Sequence, residues 1–188
     1  MLWWYAIVCL IFDLTGLLLK KCGLYIPGVD NLFLVVEFCL VSAFYKQLYK
    51  SRLLSLTVPL IVLFTFLLHT LLLRHHDTSM QYSMLKVNLY GGALFYLCYI
   101  VYAIVGLYQL IQNPAEDFID RSSFFWVNTA FLIYASGVFF IFLYEEAIDS
   151  ENKVLINLLW GYGFCSLNII KNIFLAKALS IEDGAVKS

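Results

Sequence analysis

Charged residues are scarce in this chain. They make up 13% of its 188 residues, whereas about a quarter is usual in a soluble domain. The polar stretches between its apolar runs are too short to form a soluble catalytic or DNA-binding domain. Concentrated positive charge is also lacking, since the formal net charge is −1, and nucleic-acid binding requires a basic surface. We therefore expect no nucleic-acid partner.

Cysteine frameworks, cleavable leaders and catalytic signatures are missing as well. The five cysteines are an odd number, and all but Cys22 lie in apolar runs, where cysteine behaves as a small hydrophobic residue. The first apolar run has neither a basic region before it nor a small-residue cleavage site after it, so we expect a retained helix. No phosphate-binding loop or serine-nucleophile motif is found, so we expect no cofactor.

What the chain does contain is apolar sequence, at 62% hydrophobic residues and a mean hydropathy of +0.84. Runs of about 18 or more apolar residues are long enough to cross a bilayer core of ~30 Å. The pattern predicts an all-α, polytopic transmembrane helix bundle of six spans in the cell membrane. The predicted spans are Leu2–Leu19, Asn31–Tyr49, Leu53–Leu73, Met84–Ile111, Phe124–Tyr144 and Val154–Leu179.

The remaining topology follows from the breaks between these runs. Pro27 and Gly28 predict a loop, and Asp30 is a suitable cap for the second helix. Residues 1–180 are expected to form one domain, with residues 181–188 as a short cytoplasmic tail. Basic residues in the loops and near the ends of the spans divide six to five in favour of the side that carries the termini, which favours cytoplasmic termini.

Ionisable residues inside the spans are the strongest functional signal, because each costs about 2.5 to 3.5 kcal/mol at mid-helix. Asp13, Glu37 and His69 fall at a similar depth on three predicted helices. The same layer is expected to receive polar residues from the last three helices, namely Asn88, Tyr90, Tyr134, Ser136, Asn157 and Trp160. These groups predict either a polar ligand-binding pocket or polar contacts that hold the bundle together, and the sequence leaves both open.

Two further patterns follow helical spacing. Tyr96, Tyr99 and Tyr102, continued by Gly106 and Gln109, predict one face of the fourth helix that either lines a cavity or packs against neighbours. The sixth helix carries a polar seam that we expect to face protein. Its members are Asn157, Gly161, Cys165, Asn168 and Asn172. Lys171 lies beside this seam and either joins it or extends toward the cytoplasmic head groups.

The sequence evidence for an enzyme or a channel is weaker than that for a polar site. His69, His75 and His76 lie close together along the chain, and with Asp13 and Glu37 they are compatible with an intramembrane metal hydrolase. We nevertheless predict no metal site, since the two adjacent histidines more often stand in a solvated loop. A channel would require a polar lining, most easily made by a homo-oligomer.

Three stretches resemble a known family. They are Asn31-Leu-Phe through Glu37-Phe to Phe44-Tyr45, Phe125-Trp126 with Leu132 to Gly137, and Leu159-Trp160 with Asn168 to Asn172. In order and spacing they are similar to multi-helix membrane modules of Bacteroidetes, found as small stand-alone proteins and as the input regions of histidine kinases. Family members typically have a further N-terminal helix, and this chain carries no kinase.

The resemblance implies that certain polar and small positions are shared by the module. Those positions are Glu37, Tyr134, Ser136, Gly137, Trp160, Asn168 and Asn172. It also implies a non-enzymatic sensory or regulatory device, embedded in the lipid bilayer, that acts through a separate protein partner. Small membrane proteins of this type also accompany bacterial antiviral systems, so an oligomeric pore or membrane-perturbing accessory effector is the alternative.

Overall fold

The computed structural model describes residues 27–49, 80–112, 119–147 and 152–186, together with residue 64 and scattered helical positions between residues 7 and 21. Regular structure within these ranges is entirely helical. This confirms the predicted helical class. The long helices are α1 (Pro27–Tyr49), α2 (Met80–Gln112), α3 (Ser123–Ala147) and α5 (Phe164–Val186).

The last span is continuous but not uniform. It opens with the short helix α4 (Lys153–Leu158), passes through a π-helical turn (Leu159–Gly163) and continues as α5. The backbone remains in the right-handed helical region at both joints, Leu159 and Phe164. A single 3-10 turn, Ile119–Arg121, precedes α3.

Two boundaries differ from the prediction. α1 includes Pro27 and Gly28, which the sequence predicted as a loop before a helix beginning at Asn31; proline is compatible with the first turn of a helix. Asp30 therefore lies inside the helix, and its predicted role as the cap is wrong. At the other end α5 runs to Val186, so residues predicted as a tail continue the helix.

Within the described residues, three segments are long and apolar enough to cross a membrane: Gly91–Gln112, Ser123–Glu145 and Val154–Ile181. They correspond to the last three predicted spans. α1 corresponds to the predicted second span. The predicted first span is described only at scattered helical positions and the predicted third span only at Phe64.

The chain divides into two compact units, Met1–Gly92 and Ala93–Ser188. In the first unit, one face of α1 is buried and carries Glu37 and Ser42 among apolar residues, namely Phe38, Val41 and Tyr45. The hydroxyl of Ser42 has no hydrogen-bond partner among the described residues.

The second unit packs α2, α3 and α5 around an aromatic core. Tyr99 of α2 meets Phe131 of α3 at 6.3 Å between ring centres. Trp126 of α3 stacks on Phe174 of α5 at 5.6 Å. The Leu167 side chain of α5 packs against Gly137 of α3, where an added Cβ would lie 2.5 Å from that side chain.

The outer surface of this unit is apolar. Large side chains such as Ile104, Ile111, Phe140, Ile169 and Ile173 are all more than half exposed. Soluble monomers rarely show so much contiguous apolar surface. The exposed residues suit contact with lipid chains, in keeping with the length and composition of the three helices.

Candidate functional site

Lys171 lies in the interior of the second unit. Its side chain, on α5, is 4% exposed, and its Nζ atom stands 4.0 Å from the centre of the Tyr134 ring on α3. An ammonium over an aromatic face is stabilised by about 2 kcal/mol or more when it is desolvated. The sequence left open whether Lys171 faces protein or the head groups, and the structure places it against protein.

Tyr134 extends this contact to a third helix. Its hydroxyl lies 3.3 Å from the hydroxyl of Tyr96 on α2, and the two rings meet edge to face. We call Tyr96, Tyr134 and Lys171 the Lys171 cluster. The cluster joins one polar residue from each of the three long helices of the unit, so it couples their positions.

The tyrosine face of α2 is mainly packing. Tyr96, Tyr99 and Tyr102 are all buried, and Tyr99 packs edge to face against Tyr96. Gln109, at the far end of the predicted face, is exposed. Of the two alternatives that the sequence left open, the contacts of Tyr96 and Tyr99 with α3 favour packing.

Trp160 ties the π-helical turn to the end of α3. Its indole N–H donates to Oε2 of Glu145 at 3.0 Å, and its ring meets Phe142 edge to face at 5.1 Å. Phe164 lies 5.5 Å from Trp160 and 6.1 Å from Tyr134 between ring centres. A continuous set of rings therefore connects the Glu145 carboxylate to the Lys171 cluster. Single π turns of this kind are frequent at functional sites.

A comparison of the chain with protein-family models, curated proteins and solved structures finds no match. An ammonium supplies three donors and a charge, a phenol donates and accepts, and an indole donates. Such groups suit a carboxylate, phosphate or amide head group attached to an apolar body.

The predicted layer of ionisable residues is described in part. Glu37 is 1% exposed on α1, whereas Asp13 and His69 lie outside the described residues. Asn88 and Tyr90 lie on α2, and their side chains are outside the described part. The expected convergence of Asp13, Glu37 and His69 therefore stays a prediction.

The predicted site residues of the second unit separate into two groups. Tyr134 and Trp160 are linked through Phe164, whereas the Ser136 hydroxyl donates to the Ile133 carbonyl on its own helix at 3.1 Å. Asn157 is exposed on α4 rather than turned into the unit. Sequence depth alone placed these four residues in one layer, because it does not tell which way each side chain points.

The polar seam of the last span also departs from expectation. Asn157, Gly161, Cys165 and Asn172 are exposed, and Asn168 is half-buried. The sequence predicted that this seam faces protein. A single copy of the chain leaves most of it uncovered, while the neighbouring Lys171 turns inward.

Two buried or bonded groups were missed by the sequence reasoning. Glu145 lies one residue beyond the predicted end of the fifth span at Tyr144, and its bond to Trp160 joins two predicted spans. Asn128 is 0% exposed in α3, and its amide donates to the Phe124 carbonyl at 2.8 Å. An amide in the middle of an apolar run was the signal for Asn128.

Metal chemistry has no candidate in the described part of the chain. No group of three or more histidine, cysteine or carboxylate side chains is found there. The histidines on which the hydrolase alternative depends, His69, His75 and His76, lie outside the described residues. That alternative stays an untested prediction.

Proposed function

We propose that this chain is a non-enzymatic, multi-pass membrane module of sensory or regulatory type. It binds a small or lipid-like ligand at buried polar groups and acts through a partner protein. One observation carries the proposal: a lysine is buried against Tyr134 inside a unit whose three long helices are apolar enough to span a membrane.

The energetic cost of Lys171 supports a functional role. A lysine at mid-span costs about 2.5 to 3.5 kcal/mol on insertion scales. Lys171 lies within the segment Val154–Ile181 rather than at its end. An ionisable residue kept at such a position is by default a candidate for binding or signalling.

The position of the Lys171 cluster supports coupling between ligand and helix packing. Tyr134 uses its ring face for Lys171 and its hydroxyl for Tyr96. A ligand that draws either contact away changes how α2, α3 and α5 pack. A ligand shifts the equilibrium between two helix packings only if its affinity for them differs. A ligand that competes with Tyr134 for Lys171 binds better to the packing in which that contact is broken.

The chemistry of the cluster suggests the ligand class. A cation among aromatic rings suits an anionic head group on an apolar body, such as a fatty acid or an acidic lipid. Glu37, with Asp13 and His69, belongs to the same proposal as a second polar site in the first unit. The proposal also includes six spans with cytoplasmic termini. The resemblance to kinase input modules supports the regulatory role.

A direct test measures ligand retention by the purified chain in nanodiscs. Native mass spectrometry and thermal unfolding would be run with phosphatidylglycerol, oleate and phosphatidylcholine as probes. The matched control for Lys171→Met is Lys177→Met, because Lys177 is an exposed lysine on the same helix. We expect wild type and Lys177→Met to retain an anionic probe and gain thermal stability, and Lys171→Met to lose both.

Equal retention by all three proteins would overturn the proposal. Lys171→Arg guards against misfolding of the methionine variant, because it keeps the charge near Tyr134 and should restore part of the binding. A folded Lys171→Arg variant that retains no more anionic probe than Lys171→Met counts against the proposal.

The second candidate function is an oligomeric pore or membrane-perturbing effector. The exposed amides of the last span favour it, since polar side chains on adjacent copies are able to line a water-filled path. Ion flux from liposomes that contain the pure chain separates the two functions. A ligand-binding regulatory module predicts no flux above that of empty liposomes.

A further inference from the structure

We infer that the exposed polar face of the last span packs against the same face of a second copy of this chain. We call this surface the Asn face. It consists of Asn157, Gly161, Cys165, Asn168 and Asn172. The inference goes beyond the proposed function and does not depend on any ligand at Lys171.

Most residues of the Asn face are exposed. Asn157, Cys165 and Asn172 are exposed in the single chain, yet all three lie within Val154–Ile181, a segment long and apolar enough to cross a membrane. Lipid chains offer no hydrogen bond to an amide, so an exposed amide in hydrocarbon is unsatisfied. Polar residues in membrane helices instead bond to neighbouring helices.

The members of the Asn face lie on one side of the last span. Cys165, Asn168 and Asn172 are three and four residues apart on α5, which keeps them on one side of the helix. Asn157 precedes Cys165 by eight residues that include the π-helical turn Leu159–Gly163; because such a turn contains about one extra residue, eight residues make about two full turns. Lys171 points away from this side into the unit, and Ser166 lies about 100° around the helix from Cys165. From Asn157 to Asn172 the face is about 22 Å long at 1.5 Å per residue.

The chemistry of the Asn face indicates that a second copy of the chain packs on it. An amide both donates and accepts, so asparagine pairs with asparagine, and a two-fold contact brings one patch against the identical patch. The five residues carry no charge, so the face does not select an oppositely charged partner. A Cβ added at Gly161 would meet nothing within 4 Å, which leaves room for the close backbone approach that small residues allow between membrane helices.

Cysteine cross-linking tests the face directly. In one variant Cys165 is the sole cysteine. The matched control carries Cys165→Ser with Ser166→Cys, which moves the same thiol by one residue at the same depth. Membranes would be treated with a short bis-maleimide and analysed by mass. We expect a cross-linked species of twice the chain mass from Cys165 at several-fold higher yield than from Ser166→Cys.

Equal or negligible yields from the two positions would overturn the inference. The pure, reconstituted chain is used in parallel, so that cross-linking to a different protein is distinguished from self-association. A cross-link in native membranes to a partner of another mass, with none in the pure chain, also counts against a second copy.

Removal of the amides supplies an independent readout. Single-molecule photobleaching in nanodiscs or liposomes measures the fraction of paired chains. We expect Asn157→Leu with Asn172→Leu to weaken pairing by roughly tenfold, and Gly161→Leu to weaken it by blocking close approach. Ile173→Leu, an exposed change beside the face, should leave pairing unchanged. A wild-type chain that is monomeric in this assay overturns the inference.

Discussion

The Lys171 ammonium lies 4.0 Å from the centre of the Tyr134 ring, and both side chains are almost fully buried, at 4% and 1% exposed. Different parts of the Tyr134 side chain make these contacts, since its ring faces Lys171 and its hydroxyl faces that of Tyr96. The distance between the two hydroxyl oxygens, 3.3 Å, is longer than the usual 2.7 to 2.8 Å for such a pair, so we expect a weak hydrogen bond there.

Substitutions at Tyr134 separate these contacts. Tyr134→Phe keeps the ring beneath Lys171 and removes the hydroxyl contact, so we expect a loss of under about 1 kcal/mol in unfolding free energy. Tyr134→Leu also removes the aromatic face and should lose about 2 kcal/mol more. Denaturant unfolding in mixed micelles measures both. Tyr144→Phe, at an exposed site on the same helix, should change little, and equal losses for the Phe and Leu variants at Tyr134 would refute the ring contact.

Gly137 and Gly161 form a matched pair for helix packing. Gly137→Ala should destabilise the fold, because the new Cβ would lie 2.5 Å from Leu167, and overpacking costs about 1 to 3 kcal/mol. Gly161→Ala meets open space and should leave stability unchanged or raise it by up to about 1 kcal/mol. Thermal unfolding in detergent measures the difference. In a Leu167→Ala background, Gly137→Ala should lower the unfolding free energy by less than it does in the wild-type chain. If the two substitutions lower it independently, the contact between Gly137 and Leu167 is contradicted.

The hydrogen bond between Trp160 and Glu145 is testable by isosteric changes. Trp160→Phe keeps an aromatic ring near Phe142 and Phe164 but removes the indole donor, so we expect a loss of about 1 kcal/mol. Glu145→Gln keeps a side-chain oxygen that accepts from the indole and should lose less. Tryptophan fluorescence and thermal unfolding report the two variants. A larger loss for Glu145→Gln than for Trp160→Phe would show that Glu145 acts mainly through another contact.

α3 contains a segment long and apolar enough to cross a membrane, and such a crossing would place its two ends on opposite sides. Asp120 precedes α3 and Asn152 follows it, and both are exposed. In a cysteine-free background, Asn152→Cys in intact cells should react with a membrane-impermeant maleimide. Asp120→Cys should react only after the cells are permeabilised, in line with cytoplasmic termini. The reverse pattern would invert the orientation, and labelling of both in intact cells would exclude the crossing.

Helical class and approximate helix positions were predictable, because apolar length and local breaks are properties of contiguous sequence. The spans predicted to begin at Met84 and Phe124 lie within α2 and α3. The start of α1 was missed because proline was taken as a loop signal, although it also suits the first turn of a helix. The π-helical turn at Leu159–Gly163 was not predicted.

The residues of the candidate site were predictable from the sequence, but their pairing was not. Sequence spacing indicated that Tyr96, Tyr134, Trp160 and Lys171 are polar or aromatic residues inside apolar helices. It did not pair Lys171 with Tyr134 or Trp160 with Glu145, because each pair joins residues far apart along the chain. Depth along a span is readable from residue number, whereas side-chain direction depends on helix rotation.

The sequence by itself determined that long apolar helices form and that several carry costly polar groups, because both depend on composition and local spacing. Only the tertiary structure decided which groups are covered. Lys171 turns inward against Tyr134, and Asn172, one residue later, is exposed. Successive residues of an α-helix point about 100° apart, so the rotation of α5 against α3 assigns one residue to the core and its neighbour to the surface.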